Sequence, residues 1–296
     1  MWALFGFAVL AGCMPNMGAM VRARWAELYR DSPRLHTALA LEAVVDELTF
    51  VVGPALSVAL STMVFPEAGP LVAAAVLALG VVLFVLQRRT EPATHPHGVD
   101  GGGSAVRSSG LIVLVLTLVA GGTIIGTVDV VSVAFAEAQG APAAAGIVLS
   151  AYAVGSGVAG LAFGMLKLSM PLPRLFLIGV AGTAVTTLPM LLVDSVALLA
   201  VAVFVSGAFF APTMIVVMGL VERLTPASRL TEGMTWAITG ISVGVALGAA
   251  VSGQVLDGYG PGGGFFVAIA AGVAALLVAL LGRRMLSVAP VGIVDL

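Results

Sequence analysis

Charged residues are scarce in this 296-residue chain, and their scarcity excludes most classes of soluble protein. Only 9% of the residues are Asp, Glu, Lys or Arg, whereas 60% are hydrophobic. A soluble domain has about 25% charged residues, so this composition is typical of a protein whose surface faces lipid. The formal net charge of −2 gives no basic surface for a nucleic acid, which we exclude as a partner.

Cysteine and histidine are also rare, which limits the chemistry that the chain can perform. Cys13 is the single cysteine, so neither a disulfide framework nor a cysteine-based metal site is expected. The three histidines lie in loops between apolar segments, and the chain has no HExxH motif and no P-loop. The sequence therefore disfavours a membrane enzyme and an ATP-driven pump, and it predicts no cofactor and no metal.

Long apolar segments take up most of the chain. Each is close to the roughly 20 residues that a helix needs to cross a bilayer. We count nine, at residues 2–21, 39–62, 69–87, 110–134, 143–166, 174–193, 196–220, 231–255 and 264–282. The sequence therefore predicts an all-α integral membrane protein with about nine transmembrane helices.

The basic residues follow every second segment. All 13 lie after segments one, three, five, seven and nine, and the intervening loops have none. Because cytoplasmic loops are enriched in Lys and Arg, this pattern predicts an external N-terminus and a cytoplasmic C-terminus. The excess of arginine over lysine, with abundant alanine and glycine, indicates a bacterial protein of the plasma (inner) membrane.

The second segment carries three carboxylates where a membrane helix should have none. One near the centre of a membrane helix costs about 2.5–3.5 kcal/mol, which makes it a candidate for function. Glu42 and Asp46 share a helical stripe with Thr49, whereas Glu47 points about 100° away. These three acids, and Asp129 of the fourth segment, are our candidates for proton coupling or substrate binding. Alternatively, Glu42 snorkels to the headgroups, and Asp46 or Glu47 only hydrogen-bonds a neighbouring helix.

The chain divides at a polar stretch and contains an internal repeat. Residues 88–110 predict a cytoplasmic linker between residues 1–87 and residues 111–296. Residues 1–87 resemble residues 196–284, since AGCMPNM near the start parallels GAFFAPTM from residue 207. Segments four to six have no such partner, so we expect that three further helices belong before Met1 in the complete design.

With this topology, linker and repeat, the chain resembles the major facilitator superfamily, from its fourth to its twelfth helix. Val52-Gly53-Pro54 corresponds to the glycine-rich GP motif of the superfamily's antiporters, and residues 164–167 lie where it has a Gly-and-Arg signature loop. The similarity is to bacterial drug-efflux-like permeases. It implies a partial fold, with an incomplete N-terminal bundle and a complete six-helix C-terminal bundle.

The resemblance also implies which helices line a central cavity. The polar residues of those helices are our cavity-lining candidates: Asn16, Thr123, Thr127, Tyr152, Thr213 and Trp236. For Tyr152 and Trp236, ordinary packing is an equal alternative. Gly53-Pro54 offers a place for the helix to bend or for close approach, and small residues four apart predict close helix packing for Gly160 with Gly164 and Gly244 with Gly248.

Two hypotheses for function follow. The first is a secondary permease that exports a small amphipathic molecule by alternating access, driven by the proton gradient, with the bilayer as its surroundings. The second is a truncated remnant or accessory membrane protein that does not transport. No motif identifies the substrate or the oligomeric state.

Overall fold

The structure is a computed structural model that describes residues 17–29, 32, 34–91, 108–166, 170–226 and 229–286. Within these residues all regular structure is helical and no strand occurs. The predicted all-α class is thus confirmed for the described part of the chain. This result follows from the composition, since a helix satisfies every backbone hydrogen bond within its own segment.

Eight α-helices follow one another along the described residues. They are α1 (Met17–Leu28), α2 (Arg34–Met63), α3 (Ala68–Leu86), α4 (Ser109–Ala138), α5 (Ala144–Met165), α6 (Leu172–Thr186), α7 (Val196–Leu224) and α8 (Leu230–Leu286). Short 3₁₀ turns follow α3 at Arg88–Thr90 and α6 at Leu188–Leu192. Helix α1 continues to Leu28, although the first apolar segment predicted an end near residue 21.

Six helices of the described residues are long and apolar enough to cross a membrane. They are α3, α4, α5, α6 with its 3₁₀ extension, α7 and α8. The chain is therefore a multi-pass membrane protein. The predicted count of about nine spans stays a prediction, because residues 1–16 of the first segment lie outside the described residues.

Helix α8 is two helices joined at one residue. Its 57 residues would measure about 85 Å if straight, far more than the roughly 30 Å of a hydrocarbon core. Gly260 breaks the helix with φ 69° and ψ −177°, and Pro261 begins the next turn. Glycine reaches positive φ without steric cost, and proline suits the first position of a helix. The connection between the eighth and ninth predicted segments is therefore a one-residue break between a first arm (230–259) and a second arm (261–286).

Contacts with α4 show that the two arms run in opposite directions. Along the first arm, Gly240, Gly244 and Gly248 lie against Val115, Val119 and Thr123 in turn, so this arm is parallel to α4. Along the second arm, Gly264 lies against Val131 and Gly282 lies against Val113, so this arm is antiparallel to α4. The chain therefore reverses at Gly260 and crosses the bundle twice.

By their internal contacts, the residues form two units, one of residues 1–48 with 71–98 and one of residues 49–70 with 99–296. The predicted boundaries at 87 and 111 stay a prediction.

In the second unit, α5 runs parallel to α7, since Gly155 meets Phe204 and Gly160 meets Ala211. Helix α6 runs antiparallel to α7, since Gly179 meets Thr213 and Gly219 meets Leu172. Helices α4 to α7 and the two arms of α8 thus alternate in direction.

Two hydrophobic clusters fill the second unit, one towards each end. Leu111, Phe176 and Val217 belong to the first, and Val131, Leu199 and Phe265 belong to the second. The described basic residues of this unit all lie at the first end: Arg174, Arg223, Arg229, Arg283 and Arg284. The other end carries Glu137, Asp194 and Asp257. The helix directions thus bring together the charges that the sequence pattern assigned to one side.

Candidate functional site

Asp129 is the carboxylate that the fold leaves accessible within α4. Its side chain is exposed, although Thr127 and Val128 immediately before it are buried. The residue lies about 14 Å along the helix axis from the Ala138 end. The only other acid of α4, Glu137, belongs to its last turn. Asp129 is therefore a carboxyl group on the surface of a largely apolar spanning helix.

Asp129 interacts with Tyr152 of a neighbouring helix, and Tyr152 in turn packs against Phe210. The Tyr152 hydroxyl on α5 lies within electrostatic range of the Asp129 carboxylate. The Tyr152 ring packs against Phe210 of α7, with ring centroids 6.3 Å apart and planes tilted by 44°. We call these three residues the Asp129 cluster. It combines a carboxylate, a hydroxyl and an aromatic wall contributed by three helices.

Glycines bring α5 and α7 close enough to form this cluster. The backbone of Gly207 lies against the Tyr152 carbonyl, and the backbone of Gly155 lies against the Phe204 carbonyl. A Cβ atom at either glycine would collide with the facing carbonyl oxygen. Small residues at such crossings let helix backbones approach closely in lipid. The depth of Tyr152 in the bundle is thus set by a backbone-to-backbone contact.

A small cavity of about 30 Å³ lies behind Phe210, between α4, α6, α7 and the second arm of α8. Three threonines line it, and each hydroxyl donates to a carbonyl of its own helix. Thr117 donates to Val113 at 2.9 Å, Thr183 to Gly179 at 2.9 Å and Thr213 to Phe209 at 2.6 Å. The remaining walls are mostly apolar, and the volume suits about one or two water molecules. This cavity is too small to hold a transported molecule by itself.

The other cavity-lining candidates fall into two groups. Thr123 and Thr127 are packed at the α4 crossing with the first arm, and each hydroxyl bonds to a carbonyl of α4. Thr127 is fully buried. Trp236 is 41% exposed on the first arm, and Thr239 and Ser242 are exposed on the same arm. Only the second group belongs to an open polar face.

The sequence of the second unit also matches a known family. The sequence model of the Major Facilitator Superfamily aligns with residues 114–291, more than half of the chain. The chain belongs to the major facilitator superfamily. No curated protein matches it. Members of this superfamily are transporters rather than enzymes, so the chain is a membrane transporter for a small molecule.

The glycines of this facilitator differ in what they contact. Gly244 and Gly248 pack against the backbone of α4, and a Cβ atom at Gly160 would lie 2.9 Å from the Ala211 Cβ atom. Gly164 and Gly53 face open space, with nothing within 4 Å of such an atom. The small-residue pattern of α5 therefore extends to Gly164, beyond the part of this helix that packs against α7.

Several predicted positions lie outside what the structure describes. Asn16 and Lys167 lie outside the described residues. Glu42, Asp46, Glu47 and Pro54 belong to α2, and their side chains likewise lie outside the described part of the facilitator. Among the residues that are described, no group of His, Cys, Asp and Glu could hold a metal ion.

The fold brings to these sites some residues that no sequence pattern had indicated. Phe210 and Thr183 are apolar or weakly polar residues in ordinary helical surroundings, so no pattern distinguishes them. Ser242 could have been found, because it follows Thr239 by three residues and Thr235 by seven, on one face of a helix.

Proposed function

We propose that this facilitator is a proton-coupled secondary transporter that exports a small amphipathic molecule by alternating access. In this proposal it is of the bacterial drug-efflux type and works in the cell membrane. The observation that carries the proposal is the exposed carboxylate of Asp129 on a membrane-spanning helix. Charged residues in such segments mark the pathways of ions and substrates, because facing lipid is costly for them.

The chemistry of the Asp129 cluster suits both partners of such a transporter. A carboxylate can accept and release a proton, or it can bind a cationic group. The hydroxyl of Tyr152 can donate a hydrogen bond, and the ring of Phe210 offers an apolar surface. A site with one charged group, one polar donor and aromatic walls fits a molecule that is polar at one end and apolar at the other.

A polar face on the first arm of α8 supports a water-filled path. Trp236, Thr239, Ser242 and Gln254 are exposed, whereas Gly244 is buried against α4. In lipid, exposed polar groups have few hydrogen-bond partners, so this face suits a cavity better than the bilayer. We propose that the substrate passes along this face.

The orientation in this proposal places the basic end of the second unit in the cytoplasm. Asp129 then lies in the outer half of α4. Asp46 remains the second candidate for proton coupling, on the evidence of the polar stripe in the sequence. With two carboxylates, one could bind the proton and the other the substrate.

The test is efflux by the Asp129→Asn variant against an imposed pH gradient. Asparagine keeps the shape of the side chain but cannot take up a proton, so gradient-driven efflux should be lost while substrate exchange without a gradient persists. Asp129→Glu should retain part of the efflux. Glu137→Gln is the matched control, because it removes a carboxylate from the last turn of the same helix.

Loss of both efflux and exchange in Asp129→Asn would assign Asp129 to substrate binding instead of proton coupling. Efflux equal to that of the parent protein would exclude both roles for Asp129.

A further inference from the structure

We propose that the 3₁₀ turn after α3 is a binding site for the phosphate headgroup of an anionic phospholipid, held by Arg88 and Arg89. The site belongs to the first unit. Four observations lead to it: the depth of the turn, its fixed conformation, its unpaired guanidinium groups and the aromatic residues of α1.

The length of α3 places the turn at the depth of the headgroups. Helix α3 has 19 residues and measures about 28 Å, close to the roughly 30 Å of a hydrocarbon core. It is apolar along its whole length, and nearly all its side chains are exposed. A helix of this kind is surrounded by lipid. The turn at Arg88–Thr90, two residues after Leu86, then lies where the hydrocarbon ends.

Arg24 of α1 fixes the conformation of this turn. Its Nη1 atom donates to the carbonyls of Phe84 at 2.9 Å and Gln87 at 3.0 Å, and to the Thr90 hydroxyl at 3.3 Å. Its guanidinium carbon lies 3.6 Å from the centre of the Phe84 ring. These contacts add a charged donor to two carbonyls at the C-terminal end of α3, which also accept from the Gln87 N–H and the Thr90 hydroxyl. Arg24 is thus occupied within the protein and is not available for a ligand.

Arg88 and Arg89 are available to bind an anion, whereas Arg24 is not. Both side chains are exposed, and neither forms an ion pair with a residue that the structure describes. Glu91 is the described carboxylate closest to them in sequence, and it is exposed to solvent. Because Arg24 already caps α3, these two arginines are not needed for that purpose. A guanidinium group matches a phosphate with two parallel hydrogen bonds, and two adjacent groups match it better than one.

Aromatic residues of α1 also indicate the membrane interface. Trp25, next to Arg24, stacks on Tyr29 with ring centroids 5.8 Å apart and planes 11° apart. Tryptophan and tyrosine are enriched at the headgroup level, where one part of the ring is apolar and another forms hydrogen bonds. A free phosphate ion would gain nothing from these rings or from the end of α3. We therefore assign the site to a lipid headgroup.

The experiment measures lipid retention by the purified full chain. The protein is mixed with phosphatidylglycerol and phosphatidylcholine in detergent, and bound lipids are counted by native mass spectrometry. We expect R88Q/R89Q to weaken retention of phosphatidylglycerol by about fivefold per arginine, which corresponds to about 1 kcal/mol for each basic residue near an anionic surface. Retention of phosphatidylcholine should not change.

The matched control is R283Q/R284Q, which removes two adjacent arginines from the end of α8, where Arg284 already has a partner. This variant should weaken retention of phosphatidylglycerol clearly less than R88Q/R89Q does, because Arg284 is already engaged within the protein. R88K/R89K keeps both charges without the planar fork, and it should give intermediate retention. Size-exclusion elution identical to that of the parent shows that each variant is folded.

Equal loss in both glutamine variants would mean that net charge alone attracts the lipid, and it would overturn the site. Unchanged retention in R88Q/R89Q would overturn it too. Displacement of the lipid by millimolar inorganic phosphate would overturn the lipid assignment, because the turn would then bind phosphate in general.

Discussion

The backbone of Gly207 lies directly against the backbone carbonyl of Tyr152, so no side chain fits between α7 and α5 at this point. The ring of the same Tyr152 packs against Phe210, one turn further along α7. A single crossing thus determines both how closely two helices approach and where the tyrosine of the candidate site lies. A change at Gly207 should therefore affect stability and transport together.

We expect Gly207→Ala to lower the stability of the protein. Forcing extra atoms into a packed interior costs about 1–3 kcal/mol, and here the facing atom is a backbone carbonyl that cannot rotate away. Gly164→Ala is the control, since a Cβ atom there meets nothing within 4 Å. Alanine favours a helix by up to about 1 kcal/mol over glycine, so the control should be neutral or slightly more stable. Thermal unfolding in detergent, followed by size-exclusion chromatography, compares the two.

Adjacent glycines of α4 provide a sharper comparison. A Cβ atom at Gly122 would collide with the Ile241 carbonyl, whereas one at Gly121 meets nothing within 4 Å. Gly122→Ala should therefore lower the midpoint of thermal unfolding, and Gly121→Ala should leave it unchanged or raise it. Equal midpoints for both variants would show that the first arm of α8 does not pack on α4 as described.

The carboxylates of α2 give a prediction that comes from the sequence. Asp46 lies on the polar stripe with Thr49, and Glu47 points about 100° away from it. Asp46→Asn should abolish gradient-driven transport and spare exchange, whereas Glu47→Gln should reduce transport less. The measurement is efflux against an imposed pH gradient, with membrane levels of each variant checked by immunoblot. The reverse order of effects would place Glu47 on the functional face.

The distribution of basic residues predicts the orientation of the chain. A reporter fused after Arg89 or at Leu296 should be active in the cytoplasm, and one inserted at residues 258–264 should be active outside. Alkaline phosphatase and green fluorescent protein fusions distinguish the two compartments, because each is active on one side only. An external signal at Leu296 would require an even number of crossings between it and the insertion site.

The apolar segments predicted the helices of the second unit to within a few residues. Residues 143–166 predicted the helix found at Ala144–Met165, and residues 110–134 predicted the one at Ser109–Ala138. Apolar length is a strong signal, because a bilayer accepts only complete helices of about 20 residues. The ends were less accurate where a helix continues beyond the apolar run, as α7 does to Leu224.

The candidate site was only partly predictable. Asp129 was identified because a carboxylate is rare in an apolar helix, and Tyr152 because it is polar. Their proximity could not be predicted, since they belong to different helices and nothing in the sequence fixes the rotation of one against the other. Phe210 was missed for the same reason.

Local features of the sequence were enough to indicate that this chain is helical, that it crosses a membrane several times and that the described basic residues of its second unit share one end. These properties depend on hydrophobic length and charge, which are local. Helix packing was needed to show that Gly122 contacts a neighbouring helix and Gly121 does not, and that the chain reverses at Gly260. Successive residues of a helix point about 100° apart, so a contact depends on how each helix is rotated and placed, which is set by all its neighbours at once.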